Sequence, residues 1–162
     1  METDSKKIAS LIFSKTLIFI VVVFMVSTFK SIFKPENSLI GVTSIVLMLA
    51  LLTMDLTINP IKNLFRFIAL NLVFGLGAFV VTQNVWLGLI INFTSMFFIG
   101  YFFSYELKNP VNMLIGLHYI LIVVTPIAIE QLPLRLVSLV AGSFLIMGAQ
   151  LIVNKNKLSK SR

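Results

Sequence analysis

The chain contains no cysteine, few acidic residues and a single histidine. The absence of cysteine excludes disulfides, thiolate nucleophiles and cysteine metal sites. No carboxylate lies at metal-ligand spacing from the single histidine, and Asp55, Glu106 and Glu130 fall at the ends of apolar stretches, so no paired carboxylates for acid–base catalysis lie within them. The chain also has no Gly-rich phosphate loop and no other catalytic motif. We therefore predict a protein that is not an enzyme and that uses no cofactor or metal.

Apolar residues are abundant instead: they make up 58% of the 162 residues, and the mean hydropathy is +1.02. A soluble domain of this length could not bury so much apolar surface. A membrane helix needs about 20 apolar residues, and the uncharged stretches of this chain are 16–29, 37–54, 67–105, 109–129 and 136–154. The third has room for two helices joined by Thr82-Gln83-Asn84. The sequence predicts an all-α integral membrane protein, with six transmembrane helices in one domain covering residues 1–162.

The net charge of +7 does not indicate nucleic-acid binding, because no aromatic-rich basic module accompanies it. The distribution of the positive charges along the chain instead predicts the membrane topology. With a cytoplasmic N-terminus, the inside segments hold ten of the thirteen Lys and Arg residues. The outside loops hold Lys30, Lys34 and Arg135. Because positive loops stay on the cytoplasmic side, we expect a multi-pass protein of the cell membrane with both termini in the cytoplasm. Its partners would be the lipid bilayer and no nucleic acid.

A possible internal repeat relates two parts of the chain at an offset of 75 residues. The segment Pro35-Glu36-Asn37-Ser38-Leu39-Ile40-Gly41 resembles Pro110-Val111-Asn112-Met113-Leu114-Ile115-Gly116. The halves would be residues 8–82 and 85–155, each with three helices and therefore inverted in the membrane. Inverted repeats are typical of secondary transporters. Alternatively, Asn37 and Asn112 each cap a helix start, and the same local chemistry is used twice.

The densest polar stretch lies between the second and third predicted helices. Asn59 is a predicted N-cap, and Pro60 suits the first helical position. Lys62 and Arg66 then lie one turn apart on one face, where they add to the positive field of a helix N-terminus. Asp55 could pair with either cation. The stretch predicts a cytoplasmic mouth that gathers anions, or alternatively an ordinary positively charged anchor loop.

Three further polar residues fall inside predicted helices and complete the candidate substrate-binding set. His118 could relay protons or bind a carboxylate, and Asn71 and Asn92 could offer hydrogen bonds to a ligand. Hydrogen bonding to a neighbouring helix is the alternative for each, as it is for Gln150. Thr125-Pro126 predicts a kink in the fifth helix, which would resemble the broken helices that line transport sites.

These motifs resemble the membrane domain of fusaric-acid-resistance (FUSC-type) proteins and aromatic acid exporters. The likeness rests on 35–42, on Asp55-Leu56, on Asn59-Pro60 with Asn63 and Arg66, and on the 107–110 loop before the basic C-terminal end. The family moves organic anions across membranes, often with two such six-helix halves or a large cytoplasmic domain. Only residues 154–162 follow the sixth helix here, so the resemblance implies that the chain forms a homodimer.

The leading functional hypothesis is export of a small organic anion, an aromatic carboxylate in particular. Lys62 and Arg66 would collect it, while Asn71, Asn92 and His118 would bind it beside the abundant Phe side chains. One alternative is a ligand-binding membrane subunit of a larger transporter, similar to those of energy-coupling-factor systems. A non-transporting membrane scaffold is the other.

Overall fold

The computed structural model describes residues 2–51, 59–103 and 111–158. Throughout these ranges the regular structure is helical, which confirms the all-α prediction. The α-helices are α1 Glu2–Phe33, α2 Ser38–Leu51, α3 Pro60–Gln83, α4 Val85–Phe103, α5 Val111–Val123 and α6 Leu132–Leu158. Single 3-10 turns at Pro35–Asn37 and Ile129–Gln131 precede α2 and α6. Asp55 and the 107–110 loop of the sequence predictions lie outside the described residues.

Two helical segments of the described chain are long and apolar enough to cross a membrane. They are Pro60–Gln83, with 24 residues, and Ile129–Asn154, with 26 residues. At 1.5 Å per residue, α3 reaches about 36 Å, which exceeds the hydrocarbon core of about 30 Å. Shorter apolar helical segments occur at Phe19–Phe33, Pro35–Leu51, Val85–Tyr101 and Met113–Val123.

The distribution of side chains is inverted relative to a water-soluble bundle. Large apolar residues cover the outside, including Phe24, Trp86 and Phe93, which are 70%, 80% and 74% exposed. Polar groups are buried instead, among them Asn37, Thr43, Ser44, Asn71, His118, Arg135, Ser138, Ser143, Gln150 and Asn154. Lipid is as apolar as Leu, so a membrane protein can expose such side chains while its polar groups bond inside. This distribution agrees with the two candidate membrane-spanning helices.

Local sequence signals explain where several helices end. α3 ends at Gln83 and α4 begins at Val85, as the polar turn predicts. Asn84 caps α4, since its Oδ1 accepts from the backbone N–H groups of Trp86 at 2.9 Å and Leu87 at 3.2 Å. α5 stops at Val123, three residues before Pro126. The predicted kink is thus a helix end, because the residue before proline disfavours the helical conformation.

Two of the predicted caps do not form. Asn59 precedes α3 as expected, but its side chain makes no capping hydrogen bond. Asn37 lies in the 3-10 turn, where its Nδ2 donates to the carbonyl oxygen of Phe33 at 3.0 Å. The side chain therefore ties the turn to the end of α1 and does not cap α2. The interpretation of Asn37 as a helix N-cap is wrong.

The inner helices are α2, α3, α5 and α6, whereas α1 and α4 lie at the periphery. α6 packs against α2 and α3, and α5 packs against α2, α3 and α4. α1 packs mainly on α2, just as α4 packs on α5 and α3. The buried apolar core includes Ile40, Ile45, Phe74, Ile115, Tyr119, Leu139 and Ile146. This arrangement places one side of α6 in the middle of the bundle.

Candidate functional site

A stripe of buried polar residues runs along α6. It consists of Arg135, Ser138, Ser143, Gln150 and Asn154, each at most 6% exposed. At 100° per residue these positions fall on one side of the helix. Gly142 belongs to the same side, and a Cβ there would meet Ser44 Oγ of α2 at 2.5 Å. The stripe is therefore a polar track through an apolar bundle.

Arg135 holds the most unusual position in this stripe. Its side chain is only 2% exposed. Its Nη1 donates to Thr125 Oγ1 at 3.1 Å, and its Nη2 donates to the backbone oxygens of Thr125 at 3.1 Å and Glu36 at 3.3 Å. Its Nε is buried without a hydrogen-bond partner. The guanidinium thus joins the start of α6, the broken end of α5 and the turn before α2.

The end of α5 explains why a cation lies there. The helix stops before Pro126, so the carbonyl groups of its last turn need partners from elsewhere. Thr125 Oγ1 donates its proton to Leu121 O at 2.8 Å. The same oxygen accepts a hydrogen bond from Arg135 Nη1. A cation at a helix C-terminus is also favoured by the helix dipole. Thr125 Oγ1 therefore satisfies the last turn of α5, and Arg135 in turn bonds to Thr125 just beyond the helix end.

Within the part of the chain that the structure describes, the hydrogen-bond partners of this positive charge are all neutral. The described carboxylates near the same end, Glu36 and Glu130, are both exposed, and Arg135 uses the backbone oxygen of Glu36 rather than its carboxylate. A buried charge without a counter-ion is unfavourable unless it is fully hydrogen-bonded. A small cavity of about 10 Å³ adjoins the guanidinium and is lined also by Thr82, Thr125 and Pro126. That space is about what one water molecule needs.

Asn71, predicted to bind substrate, faces the middle of the stripe. Its Nδ2 donates to Ser143 Oγ at 2.9 Å and to Leu139 O at 3.2 Å, both on α6. Further along α6, Gln150 Nε2 donates to Leu51 O of α2, and Asn154 Nδ2 donates to Gln150 Oε1 at 2.9 Å. These bonds join α6 to α3 and to α2, which is the structural role foreseen as the alternative for Asn71 and Gln150.

Replacing Asn71 by leucine is expected to destabilise the bundle by about 1–2 kcal/mol, because both interhelical bonds are lost. Unfolding by a denaturing detergent would measure the change. Ser143→Ala removes only one of the two partners and should cost less. A double-mutant cycle of the pair isolates the 2.9 Å bond. Additive effects of the two substitutions would show that this bond contributes nothing.

His118 and Asn92, the other two predicted midplane residues, each bond to a different helix. His118 Nδ1 lies 2.7 Å from Thr43 Oγ1 on α2, and its Nε2 is buried without a partner. Asn92 Oδ1 on α4 accepts from Tyr119 OH on α5 at 2.7 Å. Asn92 and Tyr119 line a groove of about 260 Å³ with Met96, Ile120 and Val123. Met96 and Ile120 are exposed, so the groove opens at the surface of the bundle.

Lys62 and Arg66 are exposed at the start of α3. Arg66 Nη1 lies 3.5 Å from Asn63 Oδ1, a long contact that leaves most of the guanidinium accessible. Asp55, their expected partner, lies outside the described residues. The two cations are therefore at the opposite end of the bundle from Arg135, because the cavity at Arg135 reaches Thr82 near the far end of α3.

The five predicted substrate-binding residues do not form one cluster. Lys62 and Arg66 mark one end, Asn71 faces α6, His118 faces α2 and Asn92 faces α5. The residue that sequence reasoning missed is Arg135, which was counted as a loop cation. One signal was available, since Arg135 opens a row of small polar residues at helical spacing and follows Thr125-Pro126. Within the described ranges, no three His, Cys, Asp or Glu side chains gather to hold a metal.

Comparison of the chain with models of protein families, with curated proteins and with solved structures finds no match. The functional argument therefore rests on the residues and on the geometry of the bundle.

Proposed function

We propose that this protein is a membrane transporter that exports a small organic anion, with an aromatic carboxylate as the preferred class. The observation that supports the proposal is Arg135, a guanidinium that is 2% exposed, has a free Nε and is surrounded by neutral acceptors. Buried ionisable residues in membrane helices usually serve transport or ligand binding. Arginine is also the residue whose planar fork best matches a carboxylate.

A six-span arrangement agrees with this proposal, although α3 and α6 are the two described helices that are both long and apolar enough to span on their own. α4 has 19 residues and reaches about 28 Å, and α1 has 32 residues, enough for a tilted span. α5 has only 13 residues, about 20 Å, and the segment 124–131 would complete its passage. Irregular backbone at such depth is tolerated where it is buried in protein or lines a cavity. With Lys62 and Arg66 inside, both termini would be cytoplasmic.

In the proposed cycle, Arg135 exchanges its neutral acceptors for the carboxylate of the substrate. The bonds to Thr125 and Glu36 hold the guanidinium in place while no anion is bound. The adjoining cavity of about 10 Å³ is too small for an organic anion, so this arrangement would be the closed state of the proposed cycle. The non-helical segment from Thr125 to Ala128 would move to open it, because it lacks the ladder of a continuous helix.

An aromatic substrate agrees with the groove between α4 and α5. Its volume of about 260 Å³ exceeds the size of one aromatic ring, and Tyr119 and Asn92 offer polar groups at its wall. Apolar lining with a few fixed polar groups is typical of small-molecule sites. The expected homodimer could cover the exposed aromatic residues of α4, such as Phe93 and Phe97, which lipid would otherwise contact.

Arg66→Gln is expected to lower anion flux severalfold at low ionic strength and much less at high salt. An exposed cation at the pore mouth raises the local anion concentration, and salt screens that effect within about 10 Å at 0.1 M. Flux at two salt concentrations measures it, and the melting temperature should not change. Unaltered flux of the Arg66→Gln protein at low salt would contradict the proposal that Arg66 gathers anions at the cytoplasmic end of the bundle.

The function itself is tested by flux in proteoliposomes that contain only this protein. Phthalate and succinate are suitable aromatic and aliphatic probes, because doubly charged anions hardly cross bare lipid. We expect phthalate flux above that of protein-free liposomes, and less flux of succinate. Absence of any flux from correctly inserted protein would contradict the proposal. Co-purification with ATPase subunits would then indicate that the protein is the ligand-binding subunit of a larger transporter. If the cellular role of the protein survived substitution of both His118 and Arg66, a non-transporting scaffold would be indicated.

A further inference from the structure

The groove between α4 and α5 has a buried floor and an exposed rim. It encloses about 260 Å³ and is lined by Asn92, Met96, Tyr119, Ile120 and Val123. Tyr119 is 2% exposed, whereas Met96 and Ile120 are 39% and 40% exposed. Tyr119 therefore forms the floor of the groove, and Met96 and Ile120 form a rim that opens on the apolar outside of the bundle.

Asn92 brings hydrogen-bond donors without a partner to this groove. Its Oδ1 accepts from Tyr119 OH at 2.7 Å. Among the described residues, no acceptor bonds the two N–H groups of its Nδ2. An unpaired N–H group is costly in hydrocarbon, where no water can take the place of a partner. A ligand with a hydrogen-bond acceptor would remove that cost.

The lining of the groove favours a ligand without charge. None of the five lining residues is charged. Lys62 and Arg66 are exposed at the start of α3, and the guanidinium of Arg135 is bonded to Thr125 on the far side of the α5 end. A carboxylate in the groove would thus have no counter-ion, which is unfavourable in an apolar site. The groove is therefore distinct from the anion site proposed at Arg135.

The shape and the walls of the groove favour a small aromatic molecule over a lipid acyl chain. Its volume of about 260 Å³ is below the range of about 300–1,000 Å³ that holds drug-sized ligands. A rigid ring also loses less conformational freedom on binding than a flexible chain does. The thioether of Met96 makes favourable contacts with ring edges, and the floor is itself the aromatic ring of Tyr119.

We propose that this groove binds a small, uncharged aromatic molecule with a carbonyl group, which enters from the surrounding lipid. The carbonyl oxygen accepts a hydrogen bond from Asn92 Nδ2, and the ring lies between Met96 and Tyr119. The inference rests on the membrane setting of the proposed function. It extends the aromatic preference of that proposal to un-ionised molecules, such as aromatic ketones, esters and protonated acids.

Benzophenone is a suitable probe, because it is an uncharged aromatic ketone that also labels its own site. On irradiation its carbonyl oxygen takes a hydrogen atom from a nearby C–H group, and its carbonyl carbon then bonds to the carbon left behind. The experiment uses the full chain in lipid nanodiscs, with mass spectrometry to locate the label. We expect saturable labelling of Met96 and of its neighbours in the groove.

Competition in the wild-type protein tests the hydrogen bond without any substitution. Ethyl benzoate has a ring and a carbonyl acceptor, whereas propylbenzene has a ring of the same size and no acceptor. At equal concentration in the membrane, ethyl benzoate should displace benzophenone about fivefold more effectively. One hydrogen bond between neutral groups corresponds to roughly two- to tenfold in affinity.

A matched pair of variants tests the donor itself. Asn92→Leu alone would leave Tyr119 OH without its acceptor, so Tyr119→Phe serves as the reference protein. Adding Asn92→Leu to Tyr119→Phe removes the amide donor and orphans no other group. We expect the double variant to bind benzophenone about fivefold more weakly than the reference. Equal affinity of the two proteins would overturn the role of Asn92.

The remaining outcomes separate this site from the proposed transport. Labelling spread evenly over the exposed residues of α1, α4 and α6 would overturn the inference, as would equal displacement by ethyl benzoate and propylbenzene. Stronger displacement by methyl laurate would also overturn it, by showing that the groove holds an acyl chain. These results would leave phthalate export intact. Absence of phthalate flux beside saturable, Asn92-dependent labelling would instead remove the transport proposal and keep this site.

Discussion

Arg135→Gln is expected to lower phthalate flux at least tenfold while the helices stay assembled. A hydrogen bond to a charged partner contributes about 1.5–3 kcal/mol, and about 1.4 kcal/mol corresponds to a factor of ten. Glutamine keeps an amide donor for Thr125 but loses the charge that an incoming carboxylate needs. Phthalate flux in proteoliposomes measures the loss of transport. The melting temperature in detergent shows whether the helices stay assembled.

Arg135→Lys is the matched control that separates the effect of the positive charge from the effect of the guanidinium geometry. Lysine keeps the positive charge, but it lacks the planar guanidinium that donates to both Thr125 and Glu36. We expect flux between those of the wild type and the glutamine variant. If both variants transport phthalate at the wild-type rate, Arg135 is a structural cap for α5 and the anion binds elsewhere.

Gly41→Ala is expected to lower the stability of the bundle by about 1–3 kcal/mol, the cost of an overpacked core. A Cβ at this position would lie 2.5 Å from Phe29 Cγ and 3.0 Å from Phe29 Cβ. These atoms are close to the backbone of α1, so the ring cannot simply swing away. The substitution therefore pushes α1 from α2. Loss of melting temperature in detergent measures the effect.

Gly148→Ala serves as the control for Gly41→Ala, because nothing lies within 4 Å of the Cβ that it would add. It also lies in a helix, where alanine is preferred to glycine by about 0.5–1 kcal/mol. We expect unchanged or raised stability. Equal destabilisation by both substitutions would show that α1 does not pack against Gly41 as described.

The helices were predictable where composition and turn chemistry agree. The apolar stretches predict the course of α2, α3, α4 and α6, and the polar turn at Thr82-Gln83-Asn84 predicts the break between α3 and α4. α5 is shorter than its apolar stretch because Pro126 terminates it, and an uninterrupted run of apolar residues does not show where a helix ends. The uncharged stretch 16–29 marks only part of the first helix, because α1 runs from Glu2 to Phe33.

The candidate site was harder to predict, because burial depends on packing between helices. Arg135 has the same charge as the loop cations around it in the sequence, and only contact with α5 and the turn before α2 shows that it is buried. Asn71 and His118 are both buried, but the sequence does not say which helix each one faces. Their partners lie 72 and 75 residues away along the chain.

The 75-residue offset has a structural counterpart. Thr43 and His118 are related by this offset and contact each other. Equivalent residues meet in this way when two halves are related by a two-fold axis between them. α2 also packs against α6 as α5 packs against α3, which is the exchange of partners that such an axis produces. These contacts support the duplication, which stays a prediction.

The most direct test of the account is calorimetric binding of benzoate to the purified wild-type protein and to Arg135→Gln. The account predicts saturable binding to the wild type that is weakened at least tenfold in the variant, because one charge-assisted contact supplies about 1.5–3 kcal/mol. Equal affinity in both proteins would contradict it, as would the absence of binding to a well-folded wild-type bundle.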